Sequence, residues 1–228
     1  MKKFQYDSRS VVSNQQGIHE NLTELVAKHL RSDYRKPIQT HNLEAYRQMQ
    51  KAIADIAHEF LILDSCCGTG ASSIHLANKY PDTLVIGIDQ SYKRLNRRDD
   101  QVAIPENCIL IRANCEDIWR LCERDSISFA KHFILYPNPW PKSEHFKRRW
   151  HGHPVFGLLP NLSCYTELRS NWKIYLDEFS LAWQTVSGQA YSVDELEVAE
   201  PMTLFEKKYH ESGQKLYQFV ADSSLRVT

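Results

Sequence analysis

The chain has 228 residues, 42% of them apolar and 25% charged, with 28 basic side chains against 28 acidic ones. That length and apolar content suffice for one sizeable core. Zero net charge excludes a protein coated in basic surface, so any contact with a polyanion must come from a local patch.

No run approaches membrane-spanning length, and the start turns polar at Gln5, Asp7, Ser8 and Arg9, unlike a signal peptide, so a cytoplasmic protein without a membrane partner is expected. The six cysteines, at 66, 67, 108, 115, 122 and 164, contain no Cys-x-x-Cys pair and no zinc-type grouping with histidine. They read as reduced, mostly packed thiols, with no metal expected.

In chain order, Ile18, Leu22, Leu25 and Val26 stand at helical spacing before Pro37, and a second helix opening near Asn42 puts Leu43, Tyr46, Met49, Ile53 and Ile56 on one stripe. We read 1-58 as a helical extension of a single domain covering 1-228. Strands and helices then alternate: strand Leu61 to Leu63, helix Ala71 to Lys79, strand Leu84 to Ile88, a polar helix Ser91 to Gln101, strand Cys108 to Ile111, and a helix through Trp119 and Leu121. Phe133 to Tyr136 reads as a fourth strand, Val155 to Leu159 as a short helix and Ser163 to Leu168 as a fifth strand. Trp172, Tyr175, Leu176, Phe179 and Trp183 form a helical stripe. Gln189 to Val198 and Leu216 to Val220 read as antiparallel strands around a helix at Thr203 to His210. This order predicts an α/β fold with a mostly parallel sheet covered on both faces.

Asp64-Ser65-Cys66-Cys67-Gly68-Thr69-Gly70 joins a strand to a helix, and Gly68 and Gly70 let backbone approach a ligand. Ser73 stands where a dinucleotide fingerprint needs its third glycine, which argues against a nicotinamide-dependent dehydrogenase. An acid precedes the loop instead, as suits a ligand with an ammonium group, such as the amino-acid end of S-adenosylmethionine. Asp89, closing the second strand, can accept two ribose hydroxyls or cap the next helix; spacing leaves both open. Asn114 can pair with an adenine edge or serve as a helix cap, and spacing favours the cap.

The most specific segment is Tyr136-Pro137-Asn138-Pro139-Trp140-Pro141-Lys142. Its prolines stop the strand and present an amide, a flat ring and a lysine at a strand's carboxyl end, where ligands bind in open parallel sheets. Asn138 can pair with a base edge and Trp140 can stack, although Asn in such a turn also bonds its own backbone. Between Lys142 and His153, four Lys or Arg and three His face one acid, Glu144, with Phe146 and Trp150 interleaved, which favours a phosphate-contacting patch over a mixed-sign solvated face. Lys93, Arg94, Arg97 and Arg98, balanced by Asp99 and Asp100, read as ordinary surface. Lys28, His29, Arg31, Arg35 and Lys36 suggest an RNA-gripping arm. Thr203-Leu204-Phe205-Glu206 has the form of a capping box.

Together these pieces resemble the tRNA (guanine-N7-)-methyltransferase family from about Leu61 to Asp222. Its Phe-Pro-Asp-Pro-Trp-Pro-Lys motif is matched by residues 136–142, its basic follow-on by His145, Lys147, Arg148 and Arg149, its Thr-Asp-Trp element by Ser170-Asn171-Trp172, and its Thr-x-Phe-Glu element by Thr203, Phe205 and Glu206. The resemblance implies a Rossmann-like methyltransferase with a seven-stranded sheet, S-adenosyl-L-methionine as cofactor and tRNA as partner, acting as monomer or homodimer. It assigns Asn138, Lys142, Asn171, Thr203 and Glu206 to the catalytic set, all but Lys142 holding the base. Lys142, His145, Lys147, Arg148 and Arg149 go to the RNA, and Asp64, Gly68, Gly70, Asp89, Asn114 and Cys115 to the cofactor. The chain departs from the family in carrying Asn at 138 and 171 in place of Asp, and Cys66 in place of a loop glycine. Those changes keep open a different target base, transfer to an exocyclic amine, or a tRNA-binding protein without chemistry.

Overall fold

The computed structural model describes residues 8–97 and 102–223. Seven strands, β1 Phe60–Ser65, β2 Thr83–Asp89, β3 Cys108–Arg112, β4 Phe129–Leu135, β5 Ser163–Ser170, β6 Val193–Glu195 and β7 Tyr217–Asp222, form a sheet of order β3-β2-β1-β4-β5-β7-β6. The helices are α1 Leu22–Leu30, α2 Thr40–Asp55, α3 Ala71–Lys79, α4 Tyr92–Leu95, α5 Cys115–Arg124, α6 Leu159–Leu162, α7 Lys173–Ser187 and α8 Leu204–Glu211. The described residues group into two compact units.

One unit comprises Arg35–Leu135, Leu158–Thr166 and the two described residues beyond 221. Here β1 pairs in parallel with β2 and with β4, and β2 with β3. All seven residues of β2 are buried, as expected of a parallel strand covered on both faces and of the unbroken run Leu84-Val85-Ile86. Gly87 is required by close packing, because a Cβ there would collide with Ser73 on α3 and Leu110 on β3. Helix α5 buries Ile118, Trp119, Leu121 and Cys122. Trp119 Nε1 donates to Ser65 Oγ at 3.0 Å, and Ser65 Oγ bonds His132 Nε2 at 2.8 Å. Burial drives the His132 pKa down to about 3, so this imidazole is a neutral core residue. Helix α2 is fastened to α5 through Asn42 Nδ2 to Asp117 Oδ2 (2.6 Å) and Tyr46 Oη to the Leu121 carbonyl (3.1 Å).

The other unit comprises residues 8–34, Tyr136–Gly157 and Glu167–Ala221. The predicted stripe on α7 buries Tyr175, Leu176, Phe179 and Trp183, and Phe179 meets Phe156 and Phe219 edge-on. Strand β6 pairs antiparallel with β7. The basic stretch is wound into 3-10 turns at Ser143–Arg148 and Trp150–Gly152.

Four expectations change. The predicted helix over Ser91 to Gln101 is a single turn, Tyr92–Leu95, because it has a cap at Ser91 but no apolar stripe to bury; Arg98, Asp99, Asp100 and Gln101 lie outside the described residues. The strand expected over Gln189 to Val198 shortens to three residues with two exposed, as an end strand of the sheet allows. Val155 to Leu159 becomes a 3-10 turn leading into α6. Helix α1 belongs to one unit and α2 to the other. The basic residues expected to form one arm are divided likewise, with Lys28 and His29 on α1 and Lys36 paired to Glu116 at 3.8 Å.

Candidate active site

The turn leaving β1 is strained. Cys66 has φ 64°, a left-handed value that favours glycine and that the loop tolerates here with a side chain in place. Gly68 and Gly70 follow at φ 63° and 83°, and Gly70 opens α3. Asp64 is fully buried beneath this turn. Its Oδ2 accepts from Ser72 Oγ at 2.6 Å and Ser73 Oγ at 2.7 Å, while Oδ1 is buried with no hydrogen-bond partner. Burial raises the Asp64 pKa to about 6 despite the two hydroxyls.

Asp89 closes β2 and is buried, and the next helix is capped by Ser91. Asp89 Oδ2 accepts from Gly68 N at 3.0 Å, tying the glycine turn to the end of β2, and its Oδ1 accepts from Ser91 N at 2.7 Å and pairs with Arg94 at 3.1 Å. Asn114 occupies the N-cap position of α5 without its side chain capping; Nδ2 donates to Glu116 Oε1 at 3.2 Å, and its backbone N–H is taken by Asn42 Oδ1 at 3.0 Å. Cys115 is buried, with its Sγ 3.9 Å from Cys66 Sγ.

In the other unit, the Pro-Asn-Pro turn is bounded by two aromatic residues at positive φ, Tyr136 at 51° and Trp140 at 45°. Bulky side chains seldom adopt such angles, and strain of this kind clusters at binding sites. Asn138 is exposed, and its Oδ1 accepts from Trp140 N at 3.4 Å, the self-bonded turn among its two readings. The Trp140 ring is covered by the Arg148 guanidinium at 4.7 Å and met edge-on by His145 at 5.7 Å. Lys142, Lys147 and Arg148 are exposed.

Arg149 is a correction. Expected on phosphate, it is fully buried. Its Nε and Nη2 donate to the Trp140 carbonyl at 3.1 Å each, Nη2 also reaches the Lys142 carbonyl at 3.3 Å, and Nη1 donates to Glu178 Oε2 at 2.5 Å. Glu178 also takes His151 Nε2 at 2.8 Å on Oε2, with Gln15 Nε2 at 2.5 Å and His19 N at 2.9 Å on Oε1. Burial would raise the Glu178 pKa, but the His151 hydrogen bond and the Arg149 charge outweigh it and hold it at about 2. Arg149 therefore shapes the turn from inside, and the patch expected on RNA reduces to Lys142, His145, Lys147 and Arg148.

A second buried cluster surrounds Glu206. Thr203 Oγ1 accepts from Glu206 N at 2.9 Å, so the threonine caps α8 as expected. The Glu206 side chain turns away to accept Arg169 Nη1 on Oε1 at 2.7 Å, while Arg169 Nε donates to Glu167 Oε1 at 2.6 Å. Glu206 Oε2 and Tyr136 Oη are both buried without a hydrogen-bond partner. Burial and then the Glu206 charge push the Tyr136 phenol up, which keeps it a neutral donor. Asn171 Nδ2 donates to Gln214 Oε1 at 2.8 Å. Sequence reasoning did not single out Glu167, Arg169 or Tyr136 for roles, and only Tyr136, inside the proline-rich motif, carried a local signal.

A family described as "Putative methyltransferase" matches this chain over residues 58–219. The chain belongs to that family. It is 30% identical over 118 residues to the tRNA (guanine-N(7)-)-methyltransferase of Neorickettsia sennetsu, a match covering 51% of this chain and 54% of that protein. It is 26% identical over 174 residues to the enzyme of that name from Mycobacterium avium (70% of this chain, 65% of that protein), and 24% over 206 residues to that from Acinetobacter baylyi (81% and 83%). The chain thus spans about half the length of the first of these relatives and just under two thirds of the second. Among solved structures, a 16S rRNA methyltransferase KamB superposes with TM-score 0.55 at 14% identity, covering 82% of this chain and 94% of that one. An antibiotic-related methyltransferase gives TM-score 0.54 at 14% identity, covering 78% and 94%. These likenesses establish the Rossmann-like methyltransferase fold.

Proposed function

We propose that this chain transfers the methyl group of S-adenosyl-L-methionine to N7 of a guanine in the variable loop of tRNA. We take it to work as a single methyltransferase domain in the cytoplasm, as monomer or homodimer. The observation that carries the reading is Glu206, a fully buried carboxylate with one oxygen engaged by Arg169 and the other unpartnered. Leaving a buried acceptor unpaired costs about 1–3 kcal/mol, so a native fold that does so points to a ligand donor. Guanine offers N1–H and an exocyclic amine, donors that suit a carboxylate. Such a carboxylate also favours the base as it becomes cationic, help that the amides at 138 and 171 no longer give.

The cofactor fits the turn after β1. Asp64 Oδ1 is a buried acceptor left over for an ammonium group, Gly68 and Gly70 bring bare backbone to the ligand, and Asp89 Oδ2, which holds Gly68 N, keeps a lone pair for a ribose hydroxyl. When bound, that group supplies an electrophilic methyl on sulfonium. Neutral guanine N7 carries a lone pair and no proton, so no residue need act as general base; the protein's part is alignment and electrostatics. Lys142, Lys147 and Arg148 hold phosphates, and Trp140 with Arg148 over it gives a flat cationic face.

Incubating the full chain with unmodified tRNA and methyl-labelled cofactor, then digesting and locating the label by mass spectrometry, tests the reading. Label on N7 of a variable-loop guanine is expected. Label on another atom, or none, would overturn it.

A further inference from the structure

Cys66 and Cys115 are 49 positions apart in sequence, yet their sulfurs lie 3.9 Å from each other, in van der Waals contact. Their surroundings differ. Cys66 is partly exposed on the strained turn leaving β1, whereas Cys115, the first residue of α5, is 4% exposed. The hydrogen bond to Cys66, together with burial, keeps the Cys115 thiol protonated. One sulfur can be reached by a small oxidant and the other stands beside it, shielded, as a resolving partner does.

We propose that Cys66 and Cys115 form an oxidative modification site, at which a hydroperoxide converts the two thiols into a disulfide that shuts the cofactor turn. In the first step the Cys66 thiolate attacks the peroxide; the O–O bond breaks, sulfur is oxidised to a sulfenic acid, and the peroxide is reduced to its alcohol with uptake of one proton. In the second, Cys115 sulfur attacks the sulfenic sulfur, the S–S bond forms, and hydroxide leaves with the Cys115 proton as water. The sulfurs must close to about 2.05 Å, a movement of about 2 Å. The new bond would pin the β1 turn to the first residue of α5, next to Asn114. Its effect on the cofactor rests on the assignment of Asp64, Gly68 and Gly70 proposed above; formation of the bond does not.

Treating the full chain with tert-butyl hydroperoxide and mapping peptides without reduction should give a Cys66–Cys115 cross-link, lighter by two hydrogens and reversed by dithiothreitol. Calorimetric titration should then show S-adenosyl-L-methionine affinity falling at least tenfold, recovering on reduction. Cys66→Ser should give no cross-link, and peroxide should leave its cofactor affinity, at whatever level the variant has, unchanged. Cys66 ending as sulfinic acid or bonded to Cys67, or a cross-link that leaves affinity unchanged, would overturn the proposal. If the cross-link forms while neither state binds the cofactor, the modification site stands and the cofactor assignment falls.

Discussion

Glu178 and Glu206 are both fully buried in the same unit and each pairs with an arginine, yet their oxygens are used differently. Around Glu178 both carboxylate oxygens are taken, by Arg149, His151, Gln15 and the His19 backbone, so the cluster is closed around its carboxylate, with only Gln15 Oε1 and His151 Nδ1 left over at its neighbours. Around Glu206, Arg169 takes one oxygen and the other has no partner. The first arrangement is what holding a turn in shape requires. The second leaves a desolvated acceptor, which only an incoming donor completes. Asp64 belongs with the second kind, since Ser72 and Ser73 share Oδ2 and Oδ1 is left over.

The largest effect should come from breaking the closed cluster. Arg149→Ala strands a buried carboxylate and should cost about 3–5 kcal/mol in urea unfolding, with little change in the salt dependence of tRNA binding; a lower salt slope with intact stability would return Arg149 to the RNA. Glu206→Gln should do the reverse, cutting methyl transfer by about 10²–10³-fold while the urea midpoint moves little, since Arg169 keeps Glu167. Equal losses of stability and turnover would erase the contrast.

Asp64 gives a pH test. With its folded-state pKa raised to about 6 from 3.8, it is charged above about pH 6 and neutral below. Cofactor affinity should fall roughly tenfold per pH unit as pH drops through that range, and Asp64→Asn should flatten the profile. The same shift makes the folded form hold this proton longer than the unfolded chain does, so ionising Asp64 lowers stability between about pH 4 and 6. Thr203→Ala should cost about 1 kcal/mol through the lost cap. The smallest change is expected from Arg148→Ala, which should reduce the salt slope of tRNA binding by about one.

What could be read before folding was whatever local physics dictates. The apolar run of β2, the stripe on α7, the Thr203 cap and the abrupt stop before Pro137 need no distant partner. The two clusters do. Arg148 and Arg149 are chemically alike and adjacent, and nothing near them tells which goes inside; the deciding acid is 29 positions away and one of its further partners, Gln15, 163 positions from it. Glu206 likewise leaves its capping box for Arg169, 37 positions away. The positive φ at Tyr136 and Trp140 was hidden because neither is a residue type that announces it.

A last consequence concerns Gly87. Its lone hydrogen is what lets Ser73 sit against β2, and Ser73 is one of two hydroxyls that hold the Asp64 pKa down against burial. A methyl group at 87 would push that hydroxyl aside and crowd Leu110, so overfilling the strand would be read out as a further rise in the pKa of the acid paired beside it in β1.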